Sequence, residues 1–597
     1  MKVLDQNLQA IAEHETFDLV VVGAGGAGMS AALFAAIDGA RVLLVERTQY
    51  VGGTTAWSAG TTWVPGSAHA AQVNPGDTLA DAETYLNNAV GERTRAAVRR
   101  AFLEHGGAAV KKAEAHSELR YRPYPKHPDY ISDLGGATLN GRALEPLPFD
   151  ARLLGPLFPL LRPPITEFTV LGGMMVDRTD INHLLAMTKS MASLRHSFKI
   201  VGRHLMDRLS HPRGTRLVMG NALAGRLLYS LSKQERVKLA LNTSLTDIGV
   251  ENDRVETVTL LQNGETRTVR VTGGLVLASG GFNRHPGLRA QMLPAVPAQW
   301  CPAAPGHTGE AHDLAFQVGA HYGEGGLSHA FWAPVSIRQR ADGSTAVVPH
   351  FVMDRAKPGM ITVNQKGERF VNESTSYHLF GLAMQAANLT TPSIPAYLVC
   401  DAEALRRYGI GMVRPGGKGL APFLADGYLT QGATLDELAS RLGIDAAGLR
   451  HSVEQINAYA DTGVDPDFQR GSTAYQQNLG DPNRGGKNPN LGPLCQGPFY
   501  AVKLYPGDIG ASTGFVTNEH AGVIGRTGQA IEGLYAVGND QHSIMGGTYP
   551  APGITIGPGL VFAYLAAGHA LGRRRAREAL GESPVVSHAK TTDSHPH

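Results

Sequence analysis

The sequence predicts an α/β fold: a Rossmann-like nucleotide-binding domain, discontinuous along the chain, carrying an inserted α+β domain. Three observations predict it. A strand, a glycine-rich turn, a helix and a second strand open the chain. Two further short apolar strands ending in glycine recur far downstream, and a loop-rich stretch punctuated by proline lies between them.

Phe17-Asp-Leu-Val-Val-Val22 is a β-branched apolar run, the pattern of a strand buried on both faces of a parallel sheet. Gly23 to Gly28 interrupt it, and the small apolar residues Met29 to Ile37 suit a helix packed on that sheet. Arg41-Val-Leu-Leu-Val45 is the next strand, completing a βαβ unit. Gly274-Leu-Val-Leu-Ala-Ser-Gly-Gly281 and Gly533-Leu-Tyr-Ala-Val-Gly538 read as distant strands of the same sheet. Thr434 to Leu449 carries Leu435, Leu438, Leu442 and Leu449 near helical spacing. Gly559 to Gly568 is apolar but shorter than the ~18 residues of a spanning helix, so it reads as a buried one. The expected division is 15–328 for the first part of the nucleotide domain, 329–499 for the insertion and 500–572 for the return. Residues 573–597, basic and then polar, are expected to be a disordered tail.

Composition narrows the function. In 597 residues, 43% apolar and 18% charged side chains exclude general disorder. Lys and Arg number 54 against 52 Asp and Glu, a net +2 that argues against a nucleic-acid partner. Cys301, Cys400 and Cys495 are far apart and form no CxxC, so neither a disulfide framework nor a cysteine zinc site is expected. The 23 histidines cluster only at His595 and His597, and no metal is expected. Met1 to Thr16 lacks the basic and apolar regions of a signal peptide. The expected location is therefore cytoplasmic, or peripheral to the inner face of a membrane. Leu153-Leu-Gly-Pro-Leu-Phe-Pro-Leu-Leu161 is an apolar loop that either touches a membrane or packs beneath the second domain, with packing favoured.

The strongest signal is Gly23-Ala-Gly25-Gly26-Ala-Gly28, set between strand and helix, with Glu46 closing the next strand. Gly23 turns the chain, Gly25 lets backbone approach a pyrophosphate, and Gly28 permits close helix–strand packing. The free N–H groups of the helix N-terminus stabilise the anion, and Glu46 suits a ribose. A bare turn between strand and helix would not need the acid and the second strand. After Glu46 and Arg47, a second loop offers Gly52, Gly53, Thr54, Thr55, Ser58 and Gly60. Two loops this close suit FAD better than NAD, because a flavin extends further from its adenosine. Near the other end, Gly553-Ile-Thr555-Ile556-Gly-Pro-Gly559 precedes the apolar helix and can place a helix N-terminus by the flavin ring. The expectation becomes a Rossmann-like FAD-binding domain with an α+β substrate/catalytic insertion.

These segments resemble the fumarate reductase/succinate dehydrogenase flavoprotein superfamily, and within it the 3-ketosteroid Δ1-dehydrogenases. The matching pieces are Val51-Gly-Gly-Thr-Thr-Ala-Trp-Ser-Ala-Gly-Thr-Thr-Trp-Val-Pro65, Gly141-Arg-Ala-Leu-Glu-Pro146 and Gly367-Glu-Arg-Phe-Val-Asn-Glu-Ser-Thr-Ser-Tyr377. Tyr505 to Gly510, Gly533 to Asn539 and Gly547-Thr-Tyr-Pro-Ala-Pro-Gly553 follow in family order. Gly281, Gly538 and Asn539 join the implied FAD set. Where the fumarate and succinate enzymes carry two arginines, this sequence has Tyr377 and Tyr549. A phenol cannot clamp a dicarboxylate as a guanidinium does, but it can hydrogen-bond a ketone or, as phenolate, take a proton from carbon.

The resemblance implies a lipophilic ketosteroid-like substrate desaturated at C1–C2. Tyr549 and the Gly553 N–H would hold the ketone oxygen, Tyr377 would remove the proton, and hydride would pass to flavin N5. Tyr377 would then need a lowered pKa or a proton-accepting neighbour. The family's supporting tyrosine pair is represented in His127-Pro-Asp-Tyr-Ile-Ser132 by Tyr130 alone, with Ile131 beside it; Tyr121, Tyr124 and His127 are the candidate substitutes. The electron acceptor is expected to be a quinone or dye-type molecule. Rival readings are Δ4(5α) desaturation, reduction of a small unsaturated acid, and a non-catalytic flavin-binding subunit.

Overall fold

A computed structural model of the chain describes residues 1–4, 7–351 and 354–579. Its first sheet contains β1 (Lys2–Leu4), β2 (Thr16–Val22), β3 (Val42–Val45), β4 (Val237–Ala240), β5 (Ser244–Glu251), β6 (Arg254–Gln262) and β7 (Glu265–Leu277). The second contains β8 (Ala330–Gln339), β9 (Thr345–Pro349), β10 (Met360–Val363), β11 (Ala396–Cys400), β12 (Thr430–Gly432) and β13 (Phe499–Ala511). β14 (Gly522–Ile524) and β15 (Ala530–Ala536) return to the first. The helices that matter to the site and surface are α1 (Gly26–Ile37), α2 (Arg178–Leu185), α3 (Met191–Asp207), α4 (Tyr377–Ala387), α5 (Ala474–Leu479) and α6 (Ile556–Ala579).

The first sheet runs β1-β4-β3-β2-β7, with β7 pairing both β6 and β15; β15 then pairs β14, and β6 pairs β5. The strands from β1 to β7 and on to β15 are parallel. Leu275 lies opposite both Val20 and Leu534, so strands more than two hundred residues apart in sequence meet side by side. Both downstream glycine-ended strands thus join the opening βαβ unit. Their continuous apolar character follows from burial on both faces: α1 and α6 cover one face and touch through Phe34 and Tyr564, ring centroids 5.4 Å apart, while Val20, Leu43 and Leu275 on the other face pack with Val258, Ala315 and Phe515.

The second sheet is antiparallel, in the order β9-β8-β13-β11-β10, with β12 also on β13. β13 pairs there through Ala511, so the chain leaves this sheet later than residue 500, the expected return. At the other end, β1 lies beside β4, so the first sheet also recruits residues before 15.

Three further expectations differ from the structure. The pattern from Thr434 to Leu449 is two helices, Leu435–Leu442 and Ala446–Thr462, because left-handed Gly443 (φ 71°) ends the first. The tail expected from 573 continues α6 through Ala579, and its remainder, 580–597, lies outside the described residues. The loop 153–161 forms tight 3-10 turns with Leu154 and Phe158 buried in the core that contains α1, Phe158 lying under the Arg213 guanidinium, while Leu153 stays exposed; the contact to Arg213 is with the nucleotide domain and not the expected packing beneath the second domain. Among the described residues no helix is long and apolar enough to cross a membrane.

The interior holds several histidines in their neutral form. Burial pushes His307, His378 and His542 down to about 4, and His127 down to about 3. The unfolded chain binds protons at these rings below pH 6.5 while the folded chain does not, so their contribution is complete above 6.5 and is lost as pH falls toward 4. Each ring costs about 1.4 kcal/mol per pH unit across that window. Melting temperature should therefore drop steeply between pH 6.5 and 4 in a thermal scan; a flat profile there would contradict neutral burial.

Candidate active site

The glycine cradle forms where β2 meets α1. Gly23 holds φ 106°, and a Cβ there would lie 2.2 Å from the Ala278 carbonyl oxygen on β7's extension. A Cβ on Gly28 would fall 1.8 Å from the Gly23 oxygen, so both positions exclude a side chain. Gly25 is different: nothing lies within 4 Å of its Cβ position, leaving the backbone open to a ligand at the α1 N-terminus. Gly53 closes over it, its Cβ position 3.2 Å from the Gly25 Cα, and the Gly26 N–H donates to Thr55 Oγ1 (3.2 Å). The two predicted loops therefore make one cradle.

Glu46 is buried and accepts from the N–H groups of Ala24 (3.0 Å) and Thr48 (2.9 Å) and from Thr48 Oγ1 (2.8 Å), which fixes the carboxylate beside the turn. Arg47 is engaged by Thr308 and Glu310. Thr54 Oγ1 accepts from the Ala304 N–H (2.9 Å) and meets His307 Nε2 (3.2 Å). Ser58 braces its own loop through Thr55 and Gly60, and Gly60 packs on Gly220. Gly52 supplies the left-handed turn at φ 109°.

Gly281, Gly538 and Asn539 come together through a residue that the sequence reading missed. Asp540, completely buried, accepts from the N–H groups of Ser279 and Gly281 (2.5 and 2.7 Å), from Ser279 Oγ (3.0 Å), and meets His312 Nε2 (2.9 Å). It ties the end of β7 to the end of β15. Its only signal was an acid directly after Gly538-Asn539, the one charge in an otherwise apolar strand end.

The second part of the site is a cluster of phenols. Tyr377 begins α4, capped by Ser376. Its ring lies 5.4 Å from Tyr130 and 5.1 Å from Tyr549, and Tyr130 stacks on Tyr549 at 5.8 Å. The Tyr130 hydroxyl donates to the Tyr377 oxygen at 3.2 Å. Three residues spread over more than four hundred positions are thereby brought together. Phe331 packs on Tyr549, Phe351 on Tyr377 and Tyr475 of α5 on Tyr130, with centroids 5.1, 4.9 and 4.7 Å apart. These three aromatics were not singled out in sequence, since none of them belongs to a motif.

Each phenol is carried on a clamped segment. Asp129, the acid before Tyr130, accepts from Trp63 Nε1 (3.0 Å), Arg142 Nη1 (2.9 Å) and the Thr138 N–H (3.1 Å). The Tyr130 N–H donates to the Pro550 carbonyl (2.7 Å), joining its loop to that of Tyr549. Arg355 gives its buried guanidinium to the carbonyls of His350, Phe351, Glu373 and Thr375, fixing the turn into α4. Glu373 is held by Arg369 and Arg470, which keep its carboxyl down at about 2 despite burial. Gly553, at φ 87°, accepts from the Trp63 and Gly557 N–H groups, while its own N–H finds no acceptor among the described residues.

Burial, followed by the adjacent Tyr130 and Tyr549, raises Tyr377 well above the ordinary tyrosine value, so of the two stated requirements, a lowered pKa or a proton-accepting neighbour, the structure does not supply the first. Tyr130 is raised too, again chiefly by burial, and Tyr549 is raised by burial with hydrogen bonds to Tyr377 and Thr555 opposing. Of the proposed substitutes for the missing tyrosine, His127 lies 6.5 Å from Tyr130 and edge-on to Tyr124 at 4.8 Å. Tyr121 is buried in the neighbouring strand pair, Tyr121–Pro123 with Ala143–Pro146. Beside Ile131 stands Tyr85, whose hydroxyl accepts from the Ile131 N–H (3.3 Å) and donates to the Pro550 carbonyl.

The FAD binding domain family matches residues 18–556. A 4-oxocyclohex-2-ene-1-carboxylate 5-dehydrogenase from Sinomonas cyclohexanicum is 36% identical over 92% of both chains. A 3-oxosteroid 1-dehydrogenase from Mycolicibacterium smegmatis is 35% identical over 93% of this chain and 97% of its own. The crystal structure of 3-ketosteroid Δ1-dehydrogenase from Sterolibacterium denitrificans in complex with 1,4-androstadiene-3,17-dione superposes with a TM-score of 0.87 at 34% identity, covering 94% of this chain and all of that one. The open cradle at Gly25 and the clamped carboxylate of Glu46 fit an FAD. The chain belongs to the FAD binding domain family, as a flavoprotein oxidoreductase related to the 3-oxosteroid 1-dehydrogenases.

Proposed function

We propose that this flavoprotein desaturates a 3-ketosteroid at C1–C2. The observation that carries the reading is the meeting of Tyr130, Tyr377 and Tyr549 in an aromatic enclosure whose adjacent cation, Arg355, is spent on backbone carbonyls. Arg355 is therefore not left to clamp a dicarboxylate, and the rings suit an apolar, fused-ring ketone.

The Tyr549 hydroxyl and the unpartnered Gly553 N–H donate to the ketone oxygen and bind it more tightly as enolate charge develops. Tyr377, as phenolate, takes the proton from the carbon beside that carbonyl. The hydroxyl of Tyr130 holds the Tyr377 oxygen in place. Because burial raises Tyr377, the phenolate is scarce at neutral pH but strongly basic once formed. The bound flavin supplies the hydride acceptor. Gly23, Gly25, Gly26, Gly28, Glu46, Gly52 to Thr55, Gly281, Gly538, Asn539 and the α6 N-terminus at Ile556 would hold it, and its electrons would pass to a quinone or dye-type acceptor.

A second reading is favoured by the cyclohexenone relative: a monocyclic oxo-carboxylate, dehydrogenated by the same logic. Anaerobic mixing of the oxidised holoenzyme with 4-androstene-3,17-dione should bleach the flavin, while succinate should not; bleaching by 4-oxocyclohexanecarboxylate alone would select the second reading. Tyr377→Phe should slow bleaching by about 10²–10⁴ and Tyr549→Phe by about 10²–10³ with flavin content unchanged. The rate in the wild type should rise with pH through the alkaline range without levelling below pH 10, the ordinary tyrosine value, because Tyr377 is shifted above it. A plateau near neutrality would contradict the assignment of this base.

A further inference from the structure

Helix α3 presents its two faces the wrong way round for a globular interior. The residues it turns inward, spaced three and four apart, are Ser193, Ser197, Ile200, His204 and Asp207. They hold the helix from beneath: His204 Nε2 meets the Leu171 carbonyl (2.9 Å), and Asp207 accepts from the Thr215 N–H (2.9 Å) and hydroxyl (2.8 Å). The outward residues are Met191, Phe198, Leu205, Met206 and, just beyond, Leu209, each between 61% and 81% exposed. Leu185, the last residue of α2, and Met187, between α2 and α3, are exposed as well. Single exposed apolar side chains are ordinary, but four on one face of a single helix and a fifth just beyond its end mark an interaction surface.

Charge says which partner fits. From Leu185 to Leu209 the chain carries Lys189, Arg195, Lys199, Arg203 and Arg208, and one carboxylate, the buried Asp207. Lys189, Arg195, Lys199 and Arg208 are exposed, while Arg203 pairs with Asp150. Apolar anchors flanked by unopposed cations are the arrangement of a helix lying in the headgroup region of an anionic bilayer. A partner protein or second copy would need matching acids, and the segment itself supplies none at its surface.

We propose that the α2–α3 segment, Leu185 to Leu209, docks this protein on an anionic lipid surface, with Phe198, Leu205 and Met206 entering the interface and the cations meeting lipid phosphates. The contact is peripheral. It stands apart from the loop 153–161, whose Leu154 and Phe158 are buried. It also does not depend on which ketone is the substrate.

The test is sedimentation of the holoenzyme with vesicles of phosphatidylcholine alone or mixed with phosphatidylglycerol. Binding should be at least about tenfold stronger to the anionic vesicles and should weaken in high salt. The double variants Phe198→Ser/Leu205→Ser and Lys189→Glu/Lys199→Glu should both lose it, with flavin absorbance and turnover of a dissolved ketone unchanged. Three results would overturn the proposal: no vesicle binding by the wild type, undiminished binding by both variants, or a wild-type dimer that Phe198→Ser/Leu205→Ser splits into monomers. The last would assign the face to a second copy of the chain.

Discussion

Buried charges spent on backbone and on one another hold this molecule's site together. Asp129 fixes the loop of Tyr130, Arg355 fixes the turn into Tyr377, and Asp540 joins the ends of two parallel strands at the cradle. Each is cut off from water, so each must be matched completely or the fold bears the full cost of an unpaired charge, about 3–5 kcal/mol. Complete matching gives rigidity. Rigid loops are what let three phenols from distant segments stand about one ring-width apart without an element of regular structure in common.

The same dryness shapes the chemistry. A phenol in water would ionise near pH 10, but the enclosure of Phe331, Phe351 and Tyr475 disfavours the anion. In the proposed reaction, what the site gives up in resting phenolate it would regain in the strength of donors to a ketone oxygen, because hydrogen bonds in a low-dielectric pocket are stronger than in water. Tyr130 shares this dryness: its burial raises it, and its hydroxyl positions the Tyr377 oxygen.

A lipophilic substrate dissolves in membranes better than in water, and an outward apolar helix with cationic flanks gives the protein a way to be where that substrate is. Arg178, at the first turn of α2, bears electrostatically on Tyr124 and His127, beside the Tyr130 loop. The helix that leads into the proposed docking segment therefore starts near the rim of the phenol cluster.

The cradle was legible in the sequence because it is local: turn, dipole and packing all act within the stretch from Gly23 to Glu46. Tyr130, Tyr377 and Tyr549 were legible only through their motifs, and the downstream strands only through their apolar, glycine-ended pattern. Asp540 as strand tie, Arg355 as turn clamp, and Phe331, Phe351 and Tyr475 as enclosure were not, since each acts across hundreds of residues and carries no local periodicity. The raised value of Tyr377 was likewise out of reach, because burial belongs to the packed interior and to no short segment. Helix α3 makes the same point from outside: its apolar spacing is plain in the sequence, but only tertiary packing decided that the polar stripe faces in and the apolar one faces out. Sequence by itself determined what each segment could do; the tertiary structure decided which of them meet, and how dry the meeting place is, because desolvation is set by neighbours brought from elsewhere in the chain.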